Sequence, residues 1–196
     1  MNSFKQKHII LASQSPRRKE LLEQMGLEIT IQPAHIDETI PKGLSPEKAV
    51  VHLAEKKAHA LAANHPESWI ISADTIVVVD NTILGKPRAP THAVEMITHL
   101  SGRDHHVFTG FTVGCGGKKI TQSHVVKTRV RFKALSAQEI QWYANTPEPY
   151  DKAGGYGIQG IGTFLVKEIQ GSYSNVVGLP MCELMQTLLN LNVIAI

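Results

Sequence analysis

Hydrophobic and polar residues follow strand-like and helix-like spacings in turn along the chain. The apolar run His8–Ala12 is typical of a short buried strand. Ser15 then predicts a helix N-cap with Pro16 at the first helical position, and Gly26 predicts the end of that helix. A second strand is expected over Leu27–Gln32. The N-terminal part of the chain therefore predicts a strand–helix–strand unit.

The middle of the chain repeats this order with longer elements. Ser45 and Pro46 predict the start of a helix, and apolar residues then recur on one helical face as far as Leu61. Trp69–Ile71 and Thr75–Val79 are rich in β-forming residues. They predict one central strand that is interrupted by three small or polar residues.

The remaining pattern combines a hairpin with further helices. Because hairpins and crossovers both occur, we expect an α/β fold with a mixed twisted sheet and flanking helices. No linker divides residues 1–196, so a single domain is expected. The later elements are predicted as a helix at 91–100, strands at 107–115 and 119–132, a helix at 136–145, a Gly-rich segment at 153–162, a strand at 163–169 and a helix at 179–191.

Composition and charge narrow the classes of function. Of the 196 residues, 42% are hydrophobic and 19% are charged, as in an ordinary globular protein. The formal net charge is only +3, and runs of like charge are short, which argues against nucleic acid as the partner and is compatible with a small anionic ligand. Two cysteines exclude a disulfide framework and a Cys-ligated zinc site.

The sequence also predicts a cytoplasmic location. No apolar run approaches the roughly 20 residues that a membrane-spanning helix needs. The first residues, Met1–Lys7, lead into only a five-residue apolar stretch, which does not match a signal peptide.

The first helix start is a candidate anion site. Ser13, Ser15, Arg17 and Arg18 place hydroxyls, backbone N–H groups and two guanidinium groups at one helix N-terminus. Phosphate binds well there because the helix dipole and the bidentate donors act together. The alternative is an ordinary capped helix with solvated arginines, although cations in a first turn oppose the helix dipole.

Two acidic positions are candidates for catalysis or for metal binding. Asp74 lies within an apolar β-run, where a carboxylate is usually paired, metal-bound or catalytic; the alternative is a strand-edge or bulge residue. Glu38 follows Asp37 in a Pro-bounded loop, where acids are most often only solvated. It could also provide an oxygen ligand to a hard cation such as Mg²⁺.

Three further residues suggest phosphate or base contacts. Lys57 lies on the apolar face of its helix, so it either extends its ammonium towards water or contacts phosphate. Lys86 lies in a tight Gly85–Pro87 turn that does not match a Walker motif. Gln159 lies in a segment that fits G-x-G-x-x-G but lacks the strand before and the helix after it, so a Rossmann site is excluded and a hydrogen bond to a nucleobase remains open.

Together these motifs resemble the Maf family of nucleoside triphosphate pyrophosphatases, also called septum-formation-inhibitor-like proteins. The resemblance covers about residues 8–190. It is carried by nine motifs in order: Leu11–Arg18, Asp37–Thr39, Ala54–Ala58, Ala73–Thr75, Gly85–Pro87, Leu100–Gly102, Asp151–Gly154, Tyr156–Gly160 and Val177–Pro180.

The resemblance implies a two-lobed α/β fold around a cleft, similar to inosine triphosphate pyrophosphatases. It implies hydrolysis of a nucleoside triphosphate to the monophosphate and pyrophosphate with a divalent cation, Mg²⁺ or Mn²⁺, and a homodimer as a hypothesis. Asp74 matches the family's catalytic base, with Asp74 or Glu38 holding the metal. The family's metal- and phosphate-handling groups are matched by Glu38, Lys57 and Lys86. Its positions that distinguish substrates are matched by Arg17, Thr75 and Gln159.

The Tyr156–Gly160 motif resembles the branch that acts on dTTP and UTP. Two alternatives remain at this point. One is a pyrophosphatase for 7-methyl-GTP or other modified nucleotides. The other is a non-catalytic nucleotide- or nucleic-acid-binding regulator of septation, for which the basic alternation from Lys127 to Lys133 is the best feature.

Overall fold

The computed structural model describes residues 4–196, in which helices alternate with strands. Two long helices and three long strands make up most of the regular structure. The elements are β1 (Lys5–Gln6), β2 (Ile9–Leu11), α1 (Pro16–Gln24), β3 (Thr30–Ile31), α2 (Pro46–Ala62), β4 (Trp69–Val79), β5 (Thr82–Leu84), α3 (Pro90–Leu100), β6 (Asp104–Cys115), β7 (Ile120–Phe132), α4 (Ala137–Ala144), three 3₁₀ turns (Glu148–Asp151, Ala153–Gly155 and Gly160–Leu165), β8 (Val166–Gln170), α5 (Tyr173–Val177), α6 (Met181–Asn190) and β9 (Ile194–Ala195).

The strands form one mixed sheet and one short two-stranded sheet. The main sheet has the order β3-β2-β4-β6-β7-β8, with β5 paired to β4. β2 is parallel to both β3 and β4, whereas β5 is antiparallel to β4 and β8 is antiparallel to β7. β1 pairs with β9 in the short sheet. The predicted mixed α/β fold is therefore confirmed.

The chain separates into two compact units. The first contains the residues up to Asp74 together with Thr109–Val126 and Gly178–Ile196, and the second contains Thr75–Phe108 and Lys127–Val177. The strands β4, β6 and β7 each contribute residues to both units. Each unit is built from separate stretches of the chain, because these strands change unit along their length.

The first unit has a core of aliphatic and aromatic side chains from β2, α1, β4, β6 and α6. The three residues of β2 are all fully buried, as expected for a strand with a neighbour on each side. Trp69 is the largest buried side chain of this unit. The core residues include Ile9, Leu11, Leu22, Trp69, Ile71, Phe111, Val113, Leu184 and Leu188.

The second unit has its own core, in which aromatic rings surround a buried histidine. The ring of His105 packs edge-on against Phe132 and Tyr156, and its Nε2 lies 2.7 Å from the Tyr156 hydroxyl. Burial lowers the pKa of His105 to about 3, so this histidine is neutral. His105 is therefore a packing residue of this core.

The predicted interruption of the central strand is wrong. β4 runs without a break from Trp69 to Val79. Both polar side chains of the predicted interruption, at positions 72–74, have partners. The buried Ser72 hydroxyl donates to the Ala54 carbonyl at 2.6 Å, and Asp74 accepts a hydrogen bond from Lys57. Because these groups are paired, the strand can keep them without breaking its backbone pattern.

Several other elements differ from the sequence prediction, including β6, which begins at Asp104. The strand expected at 27–32 is only Thr30–Ile31, and the strand expected at 163–169 begins at Val166, after a 3₁₀ turn. The short strand β5 was not predicted. It pairs with β4, and a turn of Asp80 and Asn81 joins the two strands. The φ values of these two residues, 46° and 62°, are typical of a two-residue hairpin turn.

No helix of the described residues combines the length and hydropathy required to cross a membrane.

Candidate active site

The centre of the candidate site in the first unit is the ammonium group of Lys57. Its Nζ lies 2.7 Å from Oδ1 of Asp74 and 2.8 Å from Oε1 of Glu38. The side chains of Lys57 and Asp74 are only 9% and 14% exposed, whereas that of Glu38 is 57% exposed. Lys57 therefore does not extend into water, and three predicted site residues meet at one point.

Helix α2 holds Lys57 in this position. Ser45 caps the helix through the Lys48 N–H, and Lys57 lies on the buried face of the helix. The hydrogen bond from Ser72 to Ala54 ties α2 to β4 one turn from Lys57 and two residues from Asp74. The helix and the strand therefore fix the lysine and the carboxylate relative to each other.

The loop that carries Glu38 is held from the same helix. Lys56 Nζ donates to the Asp37 carbonyl at 2.6 Å. The Asp37 carboxylate accepts hydrogen bonds from the Thr39 hydroxyl and N–H, and the hydroxyl bond is the main reason that the pKa of Asp37 is lowered. Lys56 thus holds the backbone of Asp37, and the adjacent Lys57 holds the side chain of the adjacent Glu38.

The first turn of α1 lies next to this cluster through Arg18. Arg18 is buried, and its guanidinium donates to the Gly178 carbonyl at 2.8 Å, to the Ala73 carbonyl at 2.8 Å and to the Ser13 hydroxyl at 3.1 Å. Burial lowers the pKa of Arg18, while the charges of Asp74 and Glu38 act in the opposite direction. Arg18 therefore ties the helix start to the residue before Asp74.

The remaining residues of this turn keep the features of an anion site. Ser15 is the N-cap of α1 and accepts from the Arg18 N–H, while Ser13 accepts from the Ser15 N–H at 3.2 Å. Pro16 begins the helix, and its first turn contains no acidic residue. Arg17 is half-buried in this turn. The dipole of α1 and two arginines thus give the start of this helix a positive potential.

The cluster combines the charges that phosphate chemistry needs. Two carboxylates face one ammonium, so these three groups have a formal net charge of −1, and the guanidinium of Arg18 lies close enough to interact with both carboxylates. Within residues 4–196, no group of three or more His, Cys, Asp or Glu side chains is arranged to hold a metal ion. A metal at Glu38 and Asp74 would thus need further oxygen ligands from the substrate, as Mg²⁺ commonly takes.

Three predicted site residues belong to the second unit. Thr75 directly follows Asp74 in β4 and is half-buried, and Lys86 is exposed between Gly85 and Pro87. Gln159 is half-buried in the Gly-rich segment, just before the 3₁₀ turn Gly160–Leu165. The Gly-rich segment forms the 3₁₀ turns Ala153–Gly155 and Gly160–Leu165, so no α-helix starts in it as a Rossmann site requires.

The sequence interpretation did not include Glu148, which organises the segment around Gln159. Its carboxylate accepts hydrogen bonds from the Ile161 and Gly162 N–H groups at 2.8 and 2.7 Å and from the Tyr143 hydroxyl at 3.0 Å. A glutamate in a Pro-containing turn gives no local signal of such partners. The five glycines between positions 154 and 162 were the available indication that the backbone approaches another group closely.

The family of the chain follows from its comparison with known proteins. The family model described as Maf-like protein matches residues 8–191. The chain belongs to the Maf family. A protein of Desulfotalea psychrophila named dTTP/UTP pyrophosphatase is 49% identical over 190 residues, which are 97% of each chain. A Myxococcus xanthus protein of the same name is 51% identical over 175 residues, covering 89% of this chain and 88% of its own.

Solved structures agree with the fold of this Maf-family chain. The Ham1 protein of Staphylococcus aureus superposes with a TM-score of 0.52 at 12% identity, over 95% of this chain and 100% of its own. A HAM1 protein from Coxiella burnetii gives the same TM-score at 15% identity, over 93% of this chain and 98% of its own. At these identities the likeness concerns the fold alone.

Proposed function

We propose that the protein hydrolyses nucleoside triphosphates to the monophosphate and pyrophosphate, with dTTP and UTP as its substrates. The observation that carries this proposal is the Lys57 ammonium held between Glu38 and Asp74, beside the positive start of α1. The names of the curated relatives support the choice of substrate. Because nucleoside triphosphates are used inside cells, we place the reaction in the cytoplasm.

A divalent cation, Mg²⁺ or Mn²⁺, fits the donor set of this cluster. The carboxylates of Asp74 and Glu38 approach the same ammonium, and both are hard oxygen donors of the kind that these cations prefer. When bound, the cation would neutralise phosphate charge and stabilise the pyrophosphate that leaves. Asp74 and Glu38 are the residues that would hold it.

The protein's own residues then account for the remaining chemistry. Asp74 would accept a proton from the water that attacks the α-phosphorus, or hold that water in position. Lys57 would orient Asp74, since the two groups are hydrogen-bonded at 2.7 Å. We assign phosphate contacts to Ser13, Ser15, Arg17 and Lys86. Arg18 would organise the helix start. Substrate discrimination is assigned to Arg17, Thr75 and Gln159.

The structure gives less support to a nucleic-acid-binding regulator. The basic alternation from Lys127 to Lys133 is its best sequence feature, but three of its four cations already contact acids. Arg129 contacts Asp104 and Glu168, each at 3.4 Å, and Lys133 contacts Glu139. Such pairs reduce the charge that is available to a phosphate backbone.

The experiment that tests the proposal measures pyrophosphate release from a panel of nucleotides at one concentration. We expect release from dTTP and UTP with Mg²⁺ or Mn²⁺, loss of release in excess EDTA, and slower release from GTP and 7-methyl-GTP. Faster turnover of 7-methyl-GTP would move the substrate to the modified-nucleotide class. Absence of pyrophosphate with every nucleotide and both metals would contradict the proposal.

The oligomeric state is tested separately by sedimentation. We propose a homodimer, and a single species at the 21.5 kDa mass of one chain would contradict it.

A further inference from the structure

The carboxylate of Glu148 is enclosed by the loop that carries Gln159. Glu148 begins the 3₁₀ turn Glu148–Asp151. Its Oε2 accepts the Ile161 N–H at 2.8 Å, and its Oε1 accepts the Gly162 N–H at 2.7 Å. Consecutive N–H groups after a residue with positive φ form a concave anion site, and Gly160 has a φ of 70°. The anion that fills this site is a side chain of the protein itself.

Tyr143 connects the other end of the loop to the same carboxylate. Its hydroxyl donates to Glu148 Oε1 at 3.0 Å and accepts the Gly157 N–H at 3.2 Å. Burial raises the pKa of Tyr143, and the nearby charge of Glu148 raises it further, so the hydroxyl remains a neutral donor. Gln159 therefore lies between two backbone points that are both tied to Glu148.

Close packing leaves this loop little freedom to take another course. A Cβ added at Gly162 would lie 2.2 Å from the Gly157 carbonyl oxygen and 2.8 Å from Glu148 Oε1. The base of Glu148 is fixed as well, because Lys152 Nζ donates to its carbonyl at 2.8 Å and to Asp151 Oδ1 at 2.6 Å. The loop and the carboxylate thus hold each other in one arrangement.

We propose that Glu148 is a positioning residue that sets the backbone of Gln159 for recognition of the pyrimidine base. This inference rests on the proposed function, in which Gln159 reads the base. A side chain that discriminates between bases by hydrogen bonds must be held in place before the substrate arrives. Glu148 provides this order through three hydrogen bonds, two to the loop and one to Tyr143.

The test uses Glu148→Gln in the full-length protein. Glutamine has the same shape, but its amide replaces one acceptor oxygen by an NH₂ donor. This donor would face one of the groups that donate to Glu148, which are the two loop N–H groups and the Tyr143 hydroxyl. We expect kcat/KM for dTTP and UTP to fall about tenfold, mainly through KM, which is the effect of one hydrogen bond at an ordered site. We expect GTP to be affected much less, so that the dTTP-to-GTP ratio falls.

Two variants serve as a control and as a second route to the answer. Glu168→Gln makes the same chemical change at an exposed glutamate of β8 that contacts Arg129 and not the loop, and it should leave the ratio unchanged. Tyr143→Phe removes the hydroxyl that joins Gly157 to Glu148, and it should lower the ratio in the same direction. Tyr143→Phe decides the question if Glu148→Gln does not fold.

A Gln159→Ala background separates positioning from general stability. If Glu148 acts through Gln159, adding Glu148→Gln to Gln159→Ala should change the dTTP-to-GTP ratio no further. The proposal would be overturned if every nucleotide lost the same factor, or if the dTTP-to-GTP ratio stayed unchanged in both Glu148→Gln and Tyr143→Phe. In either case, turnover by the wild-type protein would still support the proposed function. A wild-type protein that releases no pyrophosphate would instead overturn the proposed function, and this inference with it.

Discussion

At the scale of single residues, Lys57 shows how burial and charge decide a role. A buried ammonium is costly unless it is paired, and Lys57 has two carboxylate partners within 2.8 Å. One partner, Glu38, is mostly exposed, and the other, Asp74, lies inside β4. The pair with Asp74 thus joins α2 to β4, and the pair with Glu38 extends the cluster to the surface.

Asp74→Asn tests the catalytic role at this position. The amide keeps the size of the side chain and can still accept from Lys57, and Glu38 remains a charged partner of that ammonium, so we expect a folded protein with a lower melting temperature. Because the variant lacks a base, turnover should fall about 10²–10⁴-fold while nucleotide binding persists. Pyrophosphate release, calorimetric binding of dTTP and thermal melting measure these effects. Asp80→Asn, in the turn after β4, is the matched control, and a variant at position 74 that keeps half of the wild-type rate would exclude the assignment.

Gln159→Glu tests base recognition directly. A side-chain amide can pair with both O4 and N3–H of uracil or thymine, whereas a carboxylate repels O4. We expect kcat/KM for dTTP and UTP to fall by an amount equivalent to about 1–3 kcal/mol, and the difference from GTP to narrow. Gln170→Glu makes the same charge change at an exposed position of β8 and should have no effect. If every nucleotide loses the same factor, Gln159 does not read the base.

At the scale of elements, the first unit depends on close contact between α2 and β6. Gly110 in β6 lies against the backbone of Val50 in α2. The same helix carries Lys57, and Ser72 ties it to β4. The position of the lysine is therefore set by contacts of α2 with two strands of the sheet.

Gly110→Ala tests this contact. The added Cβ would lie 2.5 Å from the carbonyl carbon of Val50, which cannot move like a flexible side chain. We expect a loss of about 1–3 kcal/mol in the free energy of unfolding, as in other overpacked cores. Urea denaturation measures it. Gly85→Ala is the control because its Cβ would have no atom within 4 Å and should be close to neutral.

The N-terminus of α4 should make stability depend on acid pH. Hydrogen bonds to the Glu139 carboxylate from the Lys133 ammonium first, and then from the N–H and hydroxyl of Ser136, lower its pKa from 4.5 to about 2. A lowered pKa in the folded state adds stability above pH 4.5 that is lost as the pH falls towards 2. Urea midpoints at pH 7 and pH 3 should therefore differ less in Glu139→Gln than in the wild type. An equal pH dependence in both proteins would show that Glu139 makes no such contribution.

The sequence is informative where a signal is local and uninformative where a partner is distant. Two helix starts have local signals, Ser15 with Pro16 for α1 and Ser136 with Glu139 for α4. Such signals are informative because a helix cap involves only residues within three positions of each other. The meeting of Lys57 with Glu38 and Asp74 follows from the fold and leaves no mark in spacing. Glu148 was not predicted because two of its partners are backbone N–H groups, which every residue except proline carries.

At the scale of the whole molecule, the two units are interleaved along the chain. Each has its own hydrophobic core, yet neither is one continuous segment. β4, β6 and β7 belong to both units, and no stretch of linker composition separates the units. No single cut of the chain would therefore separate one unit from the other.

This interleaving predicts that the two units unfold together. A unit that unfolds alone would have to end three strands in their middle, where each backbone hydrogen-bond ladder would be broken. The two tryptophans of the chain provide one probe for each unit: Trp69 is buried in the first, and Trp142 is 56% exposed in the second. Trp142→Phe leaves fluorescence from Trp69 alone, and Trp69→Phe leaves Trp142 alone. In each variant we expect the fluorescence midpoint in urea to coincide with the midpoint by far-ultraviolet circular dichroism. A fluorescence transition that precedes the circular dichroism transition in one variant only would show that the corresponding unit unfolds independently.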